Sequence, residues 1–519
     1  MPSESSTPAD TRLSARGTAR RRRLKARVDT RAASVVVGIL TAAGLLAITL
    51  CQWRMLRAPS WDLGIFTQLL DSYAHGRAPI GTIRGEGFNL LGDHFHPLLV
   101  ILTPIYWLFP SPLTLVVVQD LIFALSAAAF TWRVRPLVPW WAAAGGGLVI
   151  GLGWGTQGAV AAEFHEVALA VPLLVFALTA FLRRQWWSAA LWAAPLVWVK
   201  EDLGLTVAAL GCAILWRRWR EDDDASASVS ARWPALNHWW SPGAALIIWG
   251  VTWTALAVTV ILPAFNTGGD YEYSSNLTLT LSHFFTPFSK WVLVLLLALT
   301  AGGFGLTSPL MLVTLPTLLW RFAGNNPYYS WIGWHYDVVL MPIAVAALVD
   351  ATRERSPLLQ RWMMPWRATL GLGLSAAILT TVVLAGQLPM TKTRCDLDAA
   401  WGDTTPRARQ QTAAQIMETI AATPIGERDR TTTAGTTGKP TVSTDMTLMA
   451  RLVPTAQVYW LTEKSVPPQF VVLDRFSGAM RNHFPQQPDE WASKRYGMTY
   501  RTVVAENGFF LLQRVEGND

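Results

Sequence analysis

The chain has 519 residues, 51% of them hydrophobic and 15% charged, where an ordinary soluble domain carries roughly 25% charged residues. Its net charge of +8 is gathered toward the start, where Arg20, Arg21, Arg22, Arg23, Lys25, Arg27 and Arg31 stand directly before an apolar run; that placement sets membrane orientation and argues against a nucleic-acid partner. The three cysteines, Cys51, Cys212 and Cys395, form no CxxC pattern, so neither a zinc site nor a disulfide framework is supported, although one bridge is open to Cys51 and Cys395 if both lie near the outer face.

Residues 1–32 read as a basic, disordered cytoplasmic tail. The segment 33–52 is long enough to cross a bilayer and lacks a small-residue cleavage site. Trp53, Arg54 and Arg57 follow it, so it reads as an uncleaved first span. Further candidate spans fall at 112–132, 139–158, 166–182, 186–199, 203–216, 243–263, 290–304, 308–322, 336–350 and 368–387, which makes about eleven transmembrane helices. A crossing takes about 20 apolar residues, fewer where protein lines the span. The stretch from Pro97 to Phe109 is shorter, holds Pro104 and is followed by Pro110 and Pro112. It reads as an interfacial or re-entrant helix in a first outer loop, 53–111.

Positive charge tests that choice. With the N-terminus in the cytoplasm and 97–109 not crossing, Arg133 and Arg135, Arg183 and Arg184, Arg217, Arg218 and Arg220, and the cluster Arg353, Arg355, Arg361 and Arg367 all face the cytoplasm. A crossing helix there would move every cluster outside. The 27 Trp suit bilayer interfaces. The cytoplasmic loop 217–241 holds an insert at 220–237, with EDDDASASVS, that reads as flexible. The membrane domain, 33–388, leaves residues 389–519 outside as a small α/β domain. There 405–420 has helical spacing, 425–443 reads as a loop, and VYWL (458–461), FVVLD (470–474), YRTVV (500–504) and GFFLLQRV (508–515) read as strands.

Chemistry-bearing residues collect at the outer ends of these spans. Asp62 follows the first span; Arg84, Asp93, His94 and His96 stand in the first outer loop. Glu163, His165 and Glu166 end the third span, Lys200, Glu201 and Asp202 end the fifth, and His335 and Asp337 precede the tenth. Ionisable groups gathered at one membrane face from distant parts of a chain point to a functional site. Each has a plainer reading. Asp62 precedes the amphipathic IFTQLLDSYAHG and would serve as a helix N-cap. Asp93, His94 and His96 are either interfacial polarity or candidate metal ligands. Glu163 to Glu166 and Lys200 to Asp202 would also suit solvated turns, though a Lys beside two acids fits a phosphate or a metal–phosphate pair. Asp120 stands inside the second span, where a carboxylate is costly.

The strings SWDLGIFTQLLDSYAHG and NLLGDHFHPLLVILTPIYWLFPSPLTLVVVQ, with EFHEVALAVPLL, VKEDLGL and WHYD, resemble the bacterial membrane family filed as domain of unknown function 2079, over roughly residues 35–390. That architecture resembles the GT-C superfamily of glycosyltransferases, many of which use polyprenyl-phosphate sugars. The resemblance implies a multi-pass bacterial plasma-membrane protein with Asp62 at the catalytic acid position. It implies a lipid-linked sugar donor and an envelope glycan, lipid or protein acceptor. In that reading Asp62 takes a proton from the acceptor hydroxyl. Lys200, His94, His96 and Arg84 face the departing phosphate. Glu163, His165, Glu201 and Asp202 hold the acceptor or a divalent ion. Asp120 departs from the expected pattern. It is the strongest argument for the main alternative, a transporter or flippase, which would place coupling charges near the midplane in repeated halves. No repeat is present. A non-catalytic scaffold or sensor, the third reading, would leave the polar motifs apart in space.

Overall fold

The computed structural model describes residues 8–225, 241–354, 365–384, 405–425, 438–463, 466–480 and 483–515. It is a helical bundle with a small sheet domain at the C-terminal end. Five helices are long and apolar enough to cross a membrane: Arg31–Arg54, Pro112–Val134, Pro242–Phe265, His335–Arg353 and Trp366–Val383. Helix α1 runs unbroken from Pro8 to Arg54, so the basic segment expected to be disordered continues the first span from Pro8 onward. Its many Arg and Ala residues are strong helix formers.

The other expected spans are shorter or interrupted, except 203–216, which falls within one 23-residue helix that is not among the five. After α2 (Asp62–Ala74), α3 (Thr103–Leu108) and α4 (Pro112–Val134), the stretch 139–158 divides at Gly153 into α5 (Trp140–Leu152) and α6 (Trp154–Ala161). A 3₁₀ turn at Glu166–Leu169 leads into α7 (Ala170–Leu182), and α8 (Trp186–Ala193) passes into a 3₁₀ turn that contains a proline. Helices α9 (Leu203–Ala225) and α10 (Pro242–Leu256) follow. Five of the eleven expected spans therefore meet the length and composition of a crossing helix. The short stretch 97–109 is a 3₁₀ turn, Pro97–Leu102, joined to α3. Cys51 is disulfide-bonded and Cys212 is free; Cys395 lies outside the described residues.

The C-terminal domain is a five-stranded sheet in the order β2-β1-β3-β5-β4, with β1 (Thr441–Thr444), β2 (Gln457–Trp460), β3 (Phe470–Asp474), β4 (Tyr500–Glu506) and β5 (Phe509–Arg514). The first three strands pair in parallel and the last two join antiparallel. Four strands agree with the expected positions. β1 corrects the end of the expected loop at 425–443, of which 426–437 lie outside the described residues: its TVST sequence carries no apolar run, yet all four residues are buried. The helix at Thr405–Ala422 matches expectation.

This domain docks on α2. Gln68 Nε2 donates to the Val458 carbonyl at 2.9 Å, and Lys439 Nζ reaches Asp71 Oδ2 at 2.9 Å. The Arg451 guanidinium lies 3.4 Å over the Trp53 ring and donates to the Trp53 carbonyl. Helix and domain touch closely at Gly64, where a Cβ would come within 3.0 Å of Met449. The loop that follows the first span and the C-terminal domain thereby form one wall over the end of the bundle.

Candidate functional site

Helix α2 begins at Asp62 itself, with Trp61 in the N-cap position and no side-chain cap. This corrects the N-cap reading. The Asp62 N–H donates to Ser60 Oγ at 3.2 Å, and its carboxylate Oδ2 stands 3.3 Å from His165 Nε2. The Asp62 side chain remains 28% exposed and lines a cavity of about 720 Å³, within the size range of small-molecule sites.

His165 is held from behind by α4. Gln119 Nε2 donates to the Glu163 carbonyl at 2.9 Å, and Gln119 Oε1 accepts from the His165 N–H at 3.1 Å. These bonds fix a loop in which Glu163 takes a φ of 67°, a left-handed backbone that costs energy for a non-glycine residue. The His165 ring stacks on His335 at 3.5 Å between centroids.

The facing wall comes from the α8–α9 connection and the loops around 84–95 and 271–273. Lys200 Nζ is 2.8 Å from Glu166 Oε1. Glu201 Oε1 pairs with His94 Nδ1 at 2.8 Å and accepts from the Tyr271 hydroxyl at 3.1 Å, while Oε2 accepts from the Phe95 N–H at 3.0 Å. Asp93 Oδ1 accepts from the Tyr273 hydroxyl at 2.8 Å. Arg84 Nη2 reaches Asp93 at 3.3 Å and Glu272 at 2.7 Å. Met446 and Trp460 of the C-terminal domain and Tyr328 and Trp334 from the 327–336 loop complete the enclosure.

Burial alone would raise the Asp62 carboxyl, but His165, Ser60 and Lys200 outweigh it and hold it below the usual aspartate range. The Asp62–His165 contact is within ion-pair distance, at the edge of hydrogen-bond geometry. Burial opposes the charge on Lys200; Glu166, Asp202 and Glu201 more than offset it and keep the ammonium protonated. Glu201 is drawn down to about 2 against its own burial, chiefly by His94, and His94 is raised in turn although burial and Lys200 oppose that. Asp202 goes the other way, to about 6, through burial and then the neighbouring Glu201 and Glu166, with Lys200 and His94 opposing. Burial keeps His96 low. Buried polar atoms without a hydrogen-bond partner among the described residues include His96 Nδ1, Asp202 Oδ1, His335 Nδ1 and Arg84 Nε. Such atoms are expensive in a sealed interior and ordinary where a ligand or water completes them.

Of the candidates read from sequence, Asp62, Arg84, Asp93, His94, His96, His165, Lys200, Glu201, Asp202 and His335 line this one cavity. Glu163 and Asp337 do not. Glu163 faces the small gap beside Arg451, and Asp337 forms a fully buried ion pair with Arg321 at 2.8 Å. Asp120 is buried in α4 beside Thr49 and outside the cavity lining. The candidate metal ligands Asp93, His94 and His96 all line the cavity. Asp93 is occupied by Arg84 and Tyr273, and His94 by Glu201. Among the described residues no group of three or more His, Cys, Asp or Glu side chains is placed to hold a metal ion.

Sequence reasoning missed Tyr271, Glu272 and Tyr273, which stand in a polar loop without a recognisable motif. It also missed Arg321, which donates to the Tyr329 carbonyl at 2.7 Å as well as pairing with Asp337 and so holds the loop bearing His335. A lone Arg inside the apolar PTLLWRFA was the available signal.

Helices long and apolar enough to cross a membrane, with a polar cavity at one end roofed by a small sheet domain, define a membrane protein with a candidate binding cavity. The chain belongs to the family described as "Predicted membrane protein (DUF2079)", which matches residues 53–511. No curated protein matches the chain.

Proposed function

We propose that the protein is an inverting glycosyltransferase of the bacterial plasma membrane. It transfers a sugar from a polyprenyl-phosphate donor to an envelope glycan, lipid or protein acceptor on the outer face. The observation that carries this reading is a part-exposed, ionised Asp62 sharing one aromatic-walled cavity with the buried, protonated Lys200.

In this mechanism the acceptor hydroxyl attacks the anomeric carbon while Asp62 takes its proton. The bond between that carbon and the phosphate oxygen breaks, and the lipid phosphate leaves with the electron pair. Lys200, Arg84 and His94 stabilise the growing phosphate charge, and His96 supplies a neutral partner. His165 orients Asp62, and Asp202 with Glu201 holds acceptor hydroxyls. No step requires a metal ion. The proposed topology keeps the eleven spans, with the N-terminus in the cytoplasm and the cavity and C-terminal domain outside. Asp120, the basis of the transport alternative, lies away from the cavity lining, which favours the enzyme.

The test is turnover. The purified chain in lipid nanodiscs is offered a panel of radiolabelled polyprenyl-phosphate sugars with an envelope-glycan acceptor extract. Transfer from at least one donor is expected. Intact donors throughout a broad panel, with folded protein, would overturn the reading.

A further inference from the structure

A second concavity, of about 620 Å³, lies between the α7–α8 turn and the facing ends of α9 and α10; Arg184, Trp186, Trp187, Ser188 and Arg218 line it. It stands at the far end of the bundle from the cavity. Asp202 opens α9 at the cavity, and Arg218 lies about 24 Å further along that helix at 1.5 Å per residue.

The two arginines differ. Arg184 is engaged: its Nε is 2.7 Å from Glu221 Oε1, its Nη2 is 2.9 Å from Glu354 Oε1, and its guanidinium packs 5.9 Å from the Trp186 ring. Its backbone sits at a φ of 61°, a left-handed conformation that non-glycine residues rarely adopt. Arg218 is half-buried, and among the described residues it has no ion-pair or hydrogen-bond partner. A guanidinium shielded from water on one side calls for an anion, and its fork matches phosphate oxygens. Beside it Trp187 is 55% and Leu191 72% exposed, an apolar surface running from the concavity toward the middle of the bundle. Trp at the rim and apolar residues beyond it match the boundary between headgroups and acyl chains.

We propose that this concavity seats the phosphate of an anionic membrane phospholipid, with Arg218 as its cation, the Ser188 hydroxyl as a donor, and the acyl chains along Trp187 and Leu191. Basic pockets between transmembrane helices take such headgroups. The site is independent of the proposed transfer chemistry.

The experiment uses delipidated full-length protein in neutral detergent, titrated with phosphatidylglycerol, phosphatidylcholine or inorganic phosphate and read by native mass spectrometry. Wild type is expected to prefer phosphatidylglycerol over phosphatidylcholine by about fivefold or more. Arg218→Ala loses that preference with its melting temperature unchanged, and Arg218→Lys keeps part of it. Trp187→Ala weakens the phospholipid and leaves inorganic phosphate binding unaltered. A preference for phosphatidylglycerol undiminished in Arg218→Ala would overturn the site. Inorganic phosphate binding as tightly as phosphatidylglycerol would overturn its assignment to a lipid.

Discussion

The two ends of the helix bundle treat their charges differently. At the end away from the cavity, Arg217 pairs with Asp350 and reaches Glu354 at 3.0 Å, Ser308 Oγ donates to Asp350, and Arg353 donates to the Leu182 carbonyl at 3.0 Å. Apart from Arg218, these groups answer one another, and the network ties helix ends together. At the cavity end the charges are as densely packed, yet Asp202 Oδ1, His96 Nδ1, His335 Nδ1 and Arg84 Nε lack partners and Asp62 keeps an open face. Buried charge that is fully matched holds a fold in register; buried polarity left unmatched around a cavity is what a ligand completes.

The sharpest break of that contrast is at Asp337, which stands next to the cavity yet is paired through Oδ1 with Arg321, its Oδ2 being without a partner among the described residues. Asp337→Ala strands a buried Arg321 and is expected to lower stability by about 3–5 kcal/mol, read as loss of folded protein in detergent. Glu201→Gln comes next, since it weakens the grip on His94. We expect a loss of about 2 kcal/mol. In the wild type, the stability that Glu201 contributes is fully present above pH 4.5. It is lost as the pH falls from there toward 2, because its folded-state value is depressed to about 2. An acid titration of the variant should lack that limb.

Glu163 has the opposite sign. Burial lifts it to about 8, further aided by Asp62 and opposed by Arg451, so the folded chain holds an extra proton between pH 4.5 and 8. Stability falls as pH rises through that window. Glu163→Gln should flatten the slope and gain about 1 kcal/mol at pH 8, read as melting temperature against pH. The smallest effect is expected at Asp120, which lies outside the cavity lining. Asp120→Asn should leave sugar transfer within about twofold of wild type, because sites that share no partners act independently; abolished activity would return the transport reading to consideration.

Much of this was legible in the sequence because membrane crossing is a composition signal and the polar motifs were short and dense. DLGIF, DHFH, EFHE, KED and WHYD each supplied side chains to one end of the bundle, and most of them line one cavity. The sequence did not reveal which member of each motif faces inward. Within WHYD, His335 lines the cavity while Asp337 turns to Arg321. Within EFHE, Glu163 turns to the C-terminal domain while His165 meets Asp62. Glu163 depends on Arg451 in the distant C-terminal domain and on its own strained backbone, and Asp337 on Arg321 at a separation of 16 residues, none of which has a local pattern. The strand β1 escaped for a related reason, since TVST is buried by its two parallel neighbours rather than by its own hydrophobicity.

The central claim is that Asp62 is the proton acceptor of the cavity. Its most direct test compares wild type with Asp62→Asn, both folded in nanodiscs, for binding and transfer of a donor that the wild type uses. The account predicts donor binding retained within a fewfold and transfer reduced by about 10²–10⁴-fold. Transfer by the variant at a rate near that of the wild type would contradict it.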